Sequence, residues 1–266
     1  MTDHTYETIS VSVEGAVRVI TLNRPERRNA MTSAMQEELI SAMEAAAESG
    51  DCGVLILTGA GEAFCAGLDL EQLKSLVGKS PAEHRADAER VARLFRTLYE
   101  LPVPTIAAVN GAAIAGGTGL ATICDFTLAV PEAKFGYTEV RIGFVPAVVS
   151  AFLMLQIGDK RARALLLTGR LFTAEEAHGW GLVNEMVAGE DLLSRSRELA
   201  KALLTNSLQS MVKTKRLLAE QNRVWLDQAI EAAMRTNAEA RETRDFREGV
   251  SAFLEKRKPV WSKRLG

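Results

Sequence analysis

"TIAAVNGAAIAGGTGLATICD", residues 105–125, is the stretch on which the fold turns. Thr105–Val109 is a short apolar run of strand length, Asn110-Gly111 is turn chemistry, and the Ala/Gly run leading to Leu120 predicts a helix that starts near Gly116. The one acid, Asp125, stands at the very end, so chemistry here would have to come from the backbone. The first N–H groups of a helix have no internal partner, and the helix dipole favours negative charge beside them. Glycine at 116, 117 and 119 removes the side chains that would hold a ligand away, as an oxyanion hole or a phosphate cradle requires. A dinucleotide fingerprint is excluded because G-x-G-x-x-G occurs neither here nor at Gly59-Ala60-Gly61, and a P-loop is excluded for want of Gly-Lys-Ser/Thr.

Outward from this stretch the pattern repeats. Val17–Leu22, Val54–Leu57 and Phe126–Val130 are further apolar runs ahead of turns, and helix-period segments lie between them. Capping-box patterns stand at Ser33/Gln36, Ser80/Glu83 and Thr173/Glu176, with Pro81 at a first-turn position. Repeated strand–turn–helix units with wholly apolar strands predict an α/β fold with mainly parallel strands. The strand signals stop near residue 190, so the reading divides the chain into a core over 1–190 and a helical segment over 191–266, docked or lent to a neighbouring subunit.

A second segment, "TGAGEAFCAGLDL" (58–70), repeats the motif of a strand end, a glycine-rich turn and an apolar helix start. Two such turns supply two N–H groups, the minimum for gripping one oxygen. With a net charge of −2, the 266-residue chain has no electrostatic pull toward nucleic acid or an anionic membrane. The uncharged segment Leu101–Cys124 is too rich in Gly and Ala, with Pro102, Pro104 and Asn110 inside it, to read as a membrane span. Cys52, Cys65 and Cys124 cannot all pair and lack metal-site spacing, which fits a reducing cytoplasm. The polar amino terminus has no apolar stretch of the kind a signal peptide needs.

"AFCAGLDL" and "AVNGAAIAGGTGLATICD", in this order and about fifty residues apart, closely resemble the enoyl-CoA hydratase/isomerase (crotonase) superfamily. "ITLNRPERRNAM" (20–31), "AKFGYTEVRIGFVP" (133–146), "ALLLTGRLFTAEEAHGWGLVNEMV" (164–187) and "EGVSAFLEKRKPVW" (248–261) agree in register, so the likeness covers nearly the whole chain. It implies a spiral of ββα turns with a helical C-terminal part, assembly as a homotrimer or dimer of trimers, and an acyl-CoA thioester as substrate. No cofactor or metal is implied beyond the coenzyme A that the substrate carries.

By place in the motifs, the enolate oxygen would be held by the backbone N–H groups of Leu68 and Gly116, with Glu139 of "FGYTEV" as the acid/base. Hydratases of the family commonly carry a second glutamate, and its place falls on Gly119. One carboxylate suffices to move a proton between C2 and C4 of a 3-enoyl chain, whereas water addition also needs a second group. The run that is "PGxGGTQ" in many hydratases is here Pro146-Ala147-Val148-Val149-Ser150, which implies a more apolar acyl pocket. Substrate and CoA contacts are expected at Arg28, Ala30, Ala66, Asp69, Gly117, Phe253 and Lys256, with Arg24 and Arg27 in the same basic loop as Arg28. Asp69 and Asp125 also read as turn or capping residues. His4, His84 and His178 have no nucleophile partner, and Cys65 reads as a small buried residue. The competing reading is a catalytically weak acyl-CoA-binding protein, which Gly119 favours and Glu139 opposes.

Overall fold

The first strand, β1 (Ile9–Glu14), pairs antiparallel with β2 (Val17–Leu22) around Gly15, whose φ of 64° suits a tight hairpin. Only Ile9 of β1 is buried, so its sequence carries no apolar run. After α1 (Ser33–Glu48) come β3 (Val54–Gly59), β4 (Ala63–Cys65), α2 (Leu70–Leu76) and α3 (Pro81–Glu100). Next follow β5 (Thr105–Val109), β6 (Ala112–Ile114), α4 (Gly116–Ile123), β7 (Phe126–Ala129) and β8 (Lys134–Gly136). A 3-10 turn, Glu139–Ile142, leads into α5 (Ala147–Thr168), two helical pieces that meet at Gly158. The chain continues through β9 (Phe172–Thr173), α6 (Ala174–Gly179) and β10 (Glu185–Met186), then α7 (Leu192–Leu204), α8 (Leu208–Arg241) and α9 (Arg244–Leu254). This computed structural model describes residues 5–263.

The long strands form a six-stranded sheet in the order β1-β2-β3-β5-β7-β10, parallel from β2 onward, and the short ones a four-stranded sheet in the order β4-β6-β8-β9. Three successive turns of chain place one strand in each sheet and then a helix, giving the ββα spiral. β3 and β5 are buried almost throughout because helices cover the sheet, which is why they read as unbroken apolar runs. α7 packs on β3, β5 and β7, while α8 lies along α3 and α5, so the C-terminal helices are docked on the core.

Two of the three capping boxes form, at Ser80/Glu83 and Thr173/Glu176, and Pro81 stands in the first turn of α3. The third does not. Thr32 caps α1 by accepting from the Met35 N–H at 3.1 Å, because tertiary partners hold the expected pair: Ser33 donates to Gln72 at 2.9 Å and Gln36 accepts from Arg90 at 3.0 Å. Beside the main core a smaller apolar cluster, Leu73, Leu76, Phe246 and Val250, draws in Leu68, Ile142 and Phe144. It ties α2 and α9 to the turn that carries Glu139. No described helix is long and apolar enough to cross a membrane.

Candidate active site

The two glycine-rich turns meet edge to edge. β4 and β6 pair in parallel, with Cys65 opposite Ala113, and a Cβ on Gly67 would lie 3.2 Å from the Ile114 carbonyl oxygen. A Cβ on Gly117 would lie 2.4 Å from the Cys65 oxygen, so glycine is what lets the turns close. Gly67, at φ 93°, also needs its freedom to turn the chain into the cap of α2. The start of α4 is tied down by Thr118, whose hydroxyl donates to the Ala113 carbonyl at 2.6 Å and accepts from the Gly136 N–H at 3.1 Å. The Ala115 N–H donates to the Gly136 carbonyl at 2.6 Å. Ala115 sits at φ 52° and ψ −121°, an uncommon conformation for a residue with a side chain, at the point where the strand becomes the helix. Among the described residues nothing accepts from the Leu68 or Gly116 N–H, although their neighbours are bonded: Met31 donates to Gly67 and Asp69 to Met31.

Both residues border a cavity of about 500 Å³ that Glu139 also borders. The Glu139 turn is clamped by α9 backbone to backbone: a Cβ on Gly143 would lie 2.2 Å from the Asp245 oxygen, and one on Gly249 would lie 2.3 Å from that of Ile142. The Glu139 residue as a whole is half-buried, yet its Oε2 is sealed from solvent and has no hydrogen-bond partner. Burial of the unpaired carboxyl pushes its pKa up to about 7, against a small opposing pull from its own backbone N–H. Near neutral pH this group can hold or release a proton, as an acid/base catalyst must.

The place of a second carboxylate is occupied by hydrocarbon. A Cβ on Gly119 would lie 2.6 Å from Val149 Cγ1 and 3.0 Å from Phe95 Cε1, and all three residues are buried. Val149 belongs to the run that departs from the hydratase pattern, and with Val148 it makes this side of the cavity apolar. Gly119→Ala is expected to destabilise the fold by about 1–3 kcal/mol through overpacking, measured by urea unfolding.

The remaining expected contacts divide. Ala66 and Phe253 border the cavity; Arg28, Ala30, Asp69, Gly117 and Lys256 do not. Asp69 is used inside the fold, in the capping role its sequence position also suggested: Oδ1 accepts from the Glu71 and Gln72 N–H groups as the cap of α2, and Oδ2 pairs with Arg24 at 3.0 Å. Gly117 is likewise structural, pressed on Cys65. Ala30 has its carbonyl taken by Arg24 at 2.6 Å, so Arg24 braces the loop. Arg28 and Lys256 are exposed, both at positive φ, near 50° and 55°. Asp125 accepts from the Thr105 N–H at 2.7 Å and pairs with Lys215 at 2.6 Å. Burial pushes the Cys65 thiol up to about 11, so it is no nucleophile at neutral pH. His178 Nδ1 lies 2.9 Å from the Val183 carbonyl, His84 is buried, and His4 lies outside the described residues.

The cavity also has walls that motif reading missed. Gln36 and Phe95 come from α1 and α3, and Asn237 and Arg241 from α8. The α8 pair left a trace, since the buried positions of that helix run Ala219, Leu226, Ile230, Ala233, Asn237, Arg241, and the last two put polar groups on an otherwise apolar stripe. Among the described residues no group of three or more His, Cys, Asp or Glu side chains is placed to hold a metal ion.

Residues 12–264 match the family model described as enoyl-CoA hydratase/isomerase. A putative enoyl-CoA hydratase of Thermus thermophilus is 42% identical over 250 residues, 94% of this chain and 99% of that protein. The 1,2-epoxyphenylacetyl-CoA isomerase of Escherichia coli is 34% identical, covering 96% of this chain and 98% of its own. The crystal structure of an enoyl-CoA hydratase/isomerase from Xanthobacter autotrophicus superposes with a TM-score of 0.87 at 30% identity, over 95% of this chain and 97% of that one.

Proposed function

The chain belongs to the enoyl-CoA hydratase/isomerase family, and from that premise we propose that it isomerises a 3-enoyl-CoA thioester to the 2-enoyl thioester with Glu139 as its single acid/base. In this reading the thioester oxygen accepts from the Leu68 and Gly116 N–H groups. The Glu139 carboxylate removes a proton from C2, the electron pair passes to the thioester oxygen as the dienolate forms, and the same carboxyl returns the proton at C4. The proton is conserved, and no water enters the product. Coenzyme A is carried by the substrate, with Arg28 and Lys256, exposed on the surface, available to its phosphates.

The observation that carries this reading is the Glu139 carboxyl, its Oε2 buried without a partner, bordering a cavity where Val149 and Phe95 fill the space a second carboxylate would need. Hydration needs a water held for attack and a proton delivered to C2, and an apolar wall at Gly119 disfavours both. The test incubates the protein with a 3-enoyl-CoA and, separately, a 2-enoyl-CoA in deuterated water, following products by mass. Conversion of the first without gain of water is expected. Rapid gain of water by the second would make the protein a hydratase with another group in the missing glutamate's role, and silence in both tubes would leave an acyl-CoA-binding protein.

The same reading proposes a cytoplasmic homotrimer or dimer of trimers. Three buried cysteines without a disulfide fit a reducing compartment, and Leu217, Leu218 and Val224, exposed on α8, fit a subunit contact. Light scattering is expected to give the mass of three or six chains.

A further inference from the structure

The α8 wall of the cavity is polar, although apolar side chains surround it. Asn237 and Arg241 stand one turn apart on the inner stripe of α8, are both more than nine-tenths buried, and border the cavity. Asn237 Oδ1 and Arg241 Nε have no hydrogen-bond partner. The Arg241 guanidinium lies 5.4 Å from the Phe144 ring centre, and its Nη1 donates to Asp87 Oδ2 at 3.3 Å. That carboxylate is already shared: Lys79 donates to it at 2.7 Å and Arg90 pairs with its other oxygen. Three cations thus converge on one anion. Gln36, also on the cavity wall, gives its Oε1 to Arg90, and its amide N–H groups donate to nothing among the described residues.

A buried donor, Arg241 Nε, and a buried amide oxygen, Asn237 Oδ1, are destabilising without partners unless a ligand completes the wall, and the cations here outnumber the one carboxylate they share. From this geometry, and resting on the acyl-CoA reading above, we infer that the α8 wall receives the far end of the acyl group, and that this end carries a carboxylate. The substrate class is then an ω-carboxyacyl thioester. A carboxylate offers a guanidinium its matching pair of acceptors and has lone pairs left for amide N–H groups. Asn237 presents its NH₂ to the same oxygen by a half-turn about its last side-chain bond. A methyl end would leave every one of these groups unsatisfied, and the positive charge uncompensated.

Two matched pairs of ligands test the inference. The first is a 3-enoyl-CoA with a methyl end and its ω-carboxy counterpart of equal chain length, compared by kcat/KM. The second is the corresponding saturated pair, which cannot react, compared by calorimetric Kd. A preference for the carboxylate end of about tenfold or more is expected in both, from one charge-assisted contact formed in a site built for it. Arg241→Met and Asn237→Leu are each expected to shrink that ratio toward one. Asp87 keeps Lys79 and Arg90 in the first variant, and Asn237 has no partner to lose in the second, so a fold failure in one leaves the other to decide. Equal or weaker binding of the carboxylate end by the unaltered protein would overturn the inference, as would a preference that survives both substitutions. Turnover of both enoyl thioesters with no end preference would sink the carboxylate and spare the isomerase. A carboxylate preference in the saturated pair without any turnover would do the reverse.

Discussion

Glu139→Gln is expected to lower kcat/KM by about 10²–10⁴-fold, the range a positioned general acid/base contributes, while a saturated acyl-CoA still binds. The amide keeps the shape of the side chain and loses only the proton traffic. In the unaltered protein kcat/KM for isomerisation should rise with pH through about 7 and level off above it, because only the carboxylate takes the C2 proton and burial holds the carboxyl protonated to about that value. Stability runs the other way. The pKa rises from 4.5 in the unfolded chain to about 7 in the fold, so between these values the folded state binds more protons than the unfolded one. Stability tied to this group is therefore fully present below 4.5 and is lost as pH climbs through about 7. At 1.36 kcal/mol per pH unit, the loss comes to roughly 3 kcal/mol. Glu139→Gln removes the ionisation, so the variant should be more stable than its parent by up to that amount near pH 8.5 and no more stable near pH 4. Unfolding in urea at the two pH values measures it. An inactive variant without this gain at high pH would mean that Glu139 is not held as a buried, unpaired acid.

Gly116→Pro is expected to cost about 10²–10³ in kcat, the effect of deleting one oxyanion donor, or ~3–4 kcal/mol of transition-state stabilisation. Proline removes the N–H itself, which no side-chain truncation can do. The first residue of a helix is where proline is tolerated, since that N–H has no intrahelical partner. A Cβ at Gly116 would make ordinary contacts, 3.5 Å to Met31 Cε and 3.9 Å to Phe95 Cζ. The thermal melt reports whether the ring is accommodated after Ala115, and the affinity for a saturated acyl-CoA reports whether the cavity survives. Unchanged kcat in a folded variant would remove Gly116 from the oxyanion pair.

Much of this protein is legible one segment at a time. β2 and β5 run to the bounds that their apolar runs predict, and β3 and β7 agree to within two residues at their ends, because a strand buried on both faces is apolar at most positions, with a buried polar side chain such as Arg18 held by the Gly15 carbonyl and Asp51. β1 was not legible, since an edge strand with one buried residue has no such constraint. Ser80 and Thr173 cap as their patterns predict, whereas Ser33 and Gln36 have the pattern and spend their side chains on Gln72 and Arg90, residues far along the chain. Local rules hold where no distant partner competes.

The site divides along the same line. Residue pattern by itself determined the alternation of apolar parallel strands with helices and the two glycine-rich turns at strand ends, because each depends on residue types at fixed short spacing, whereas the ββα spiral, the Leu68 and Gly116 donors and the carboxylate missing at Gly119 were implied only by the family resemblance. Tertiary structure alone decided what stands against them. Gly119 became a wall only through Val149 and Phe95, and Glu139 a buried acid only because α9 closes over its turn at Gly143 and Gly249. Asn237 and Arg241 met the cavity only because α8 docks along α3 and α5. Desolvation and packing are properties of neighbours brought from far along the chain, and no local pattern records which neighbours arrive.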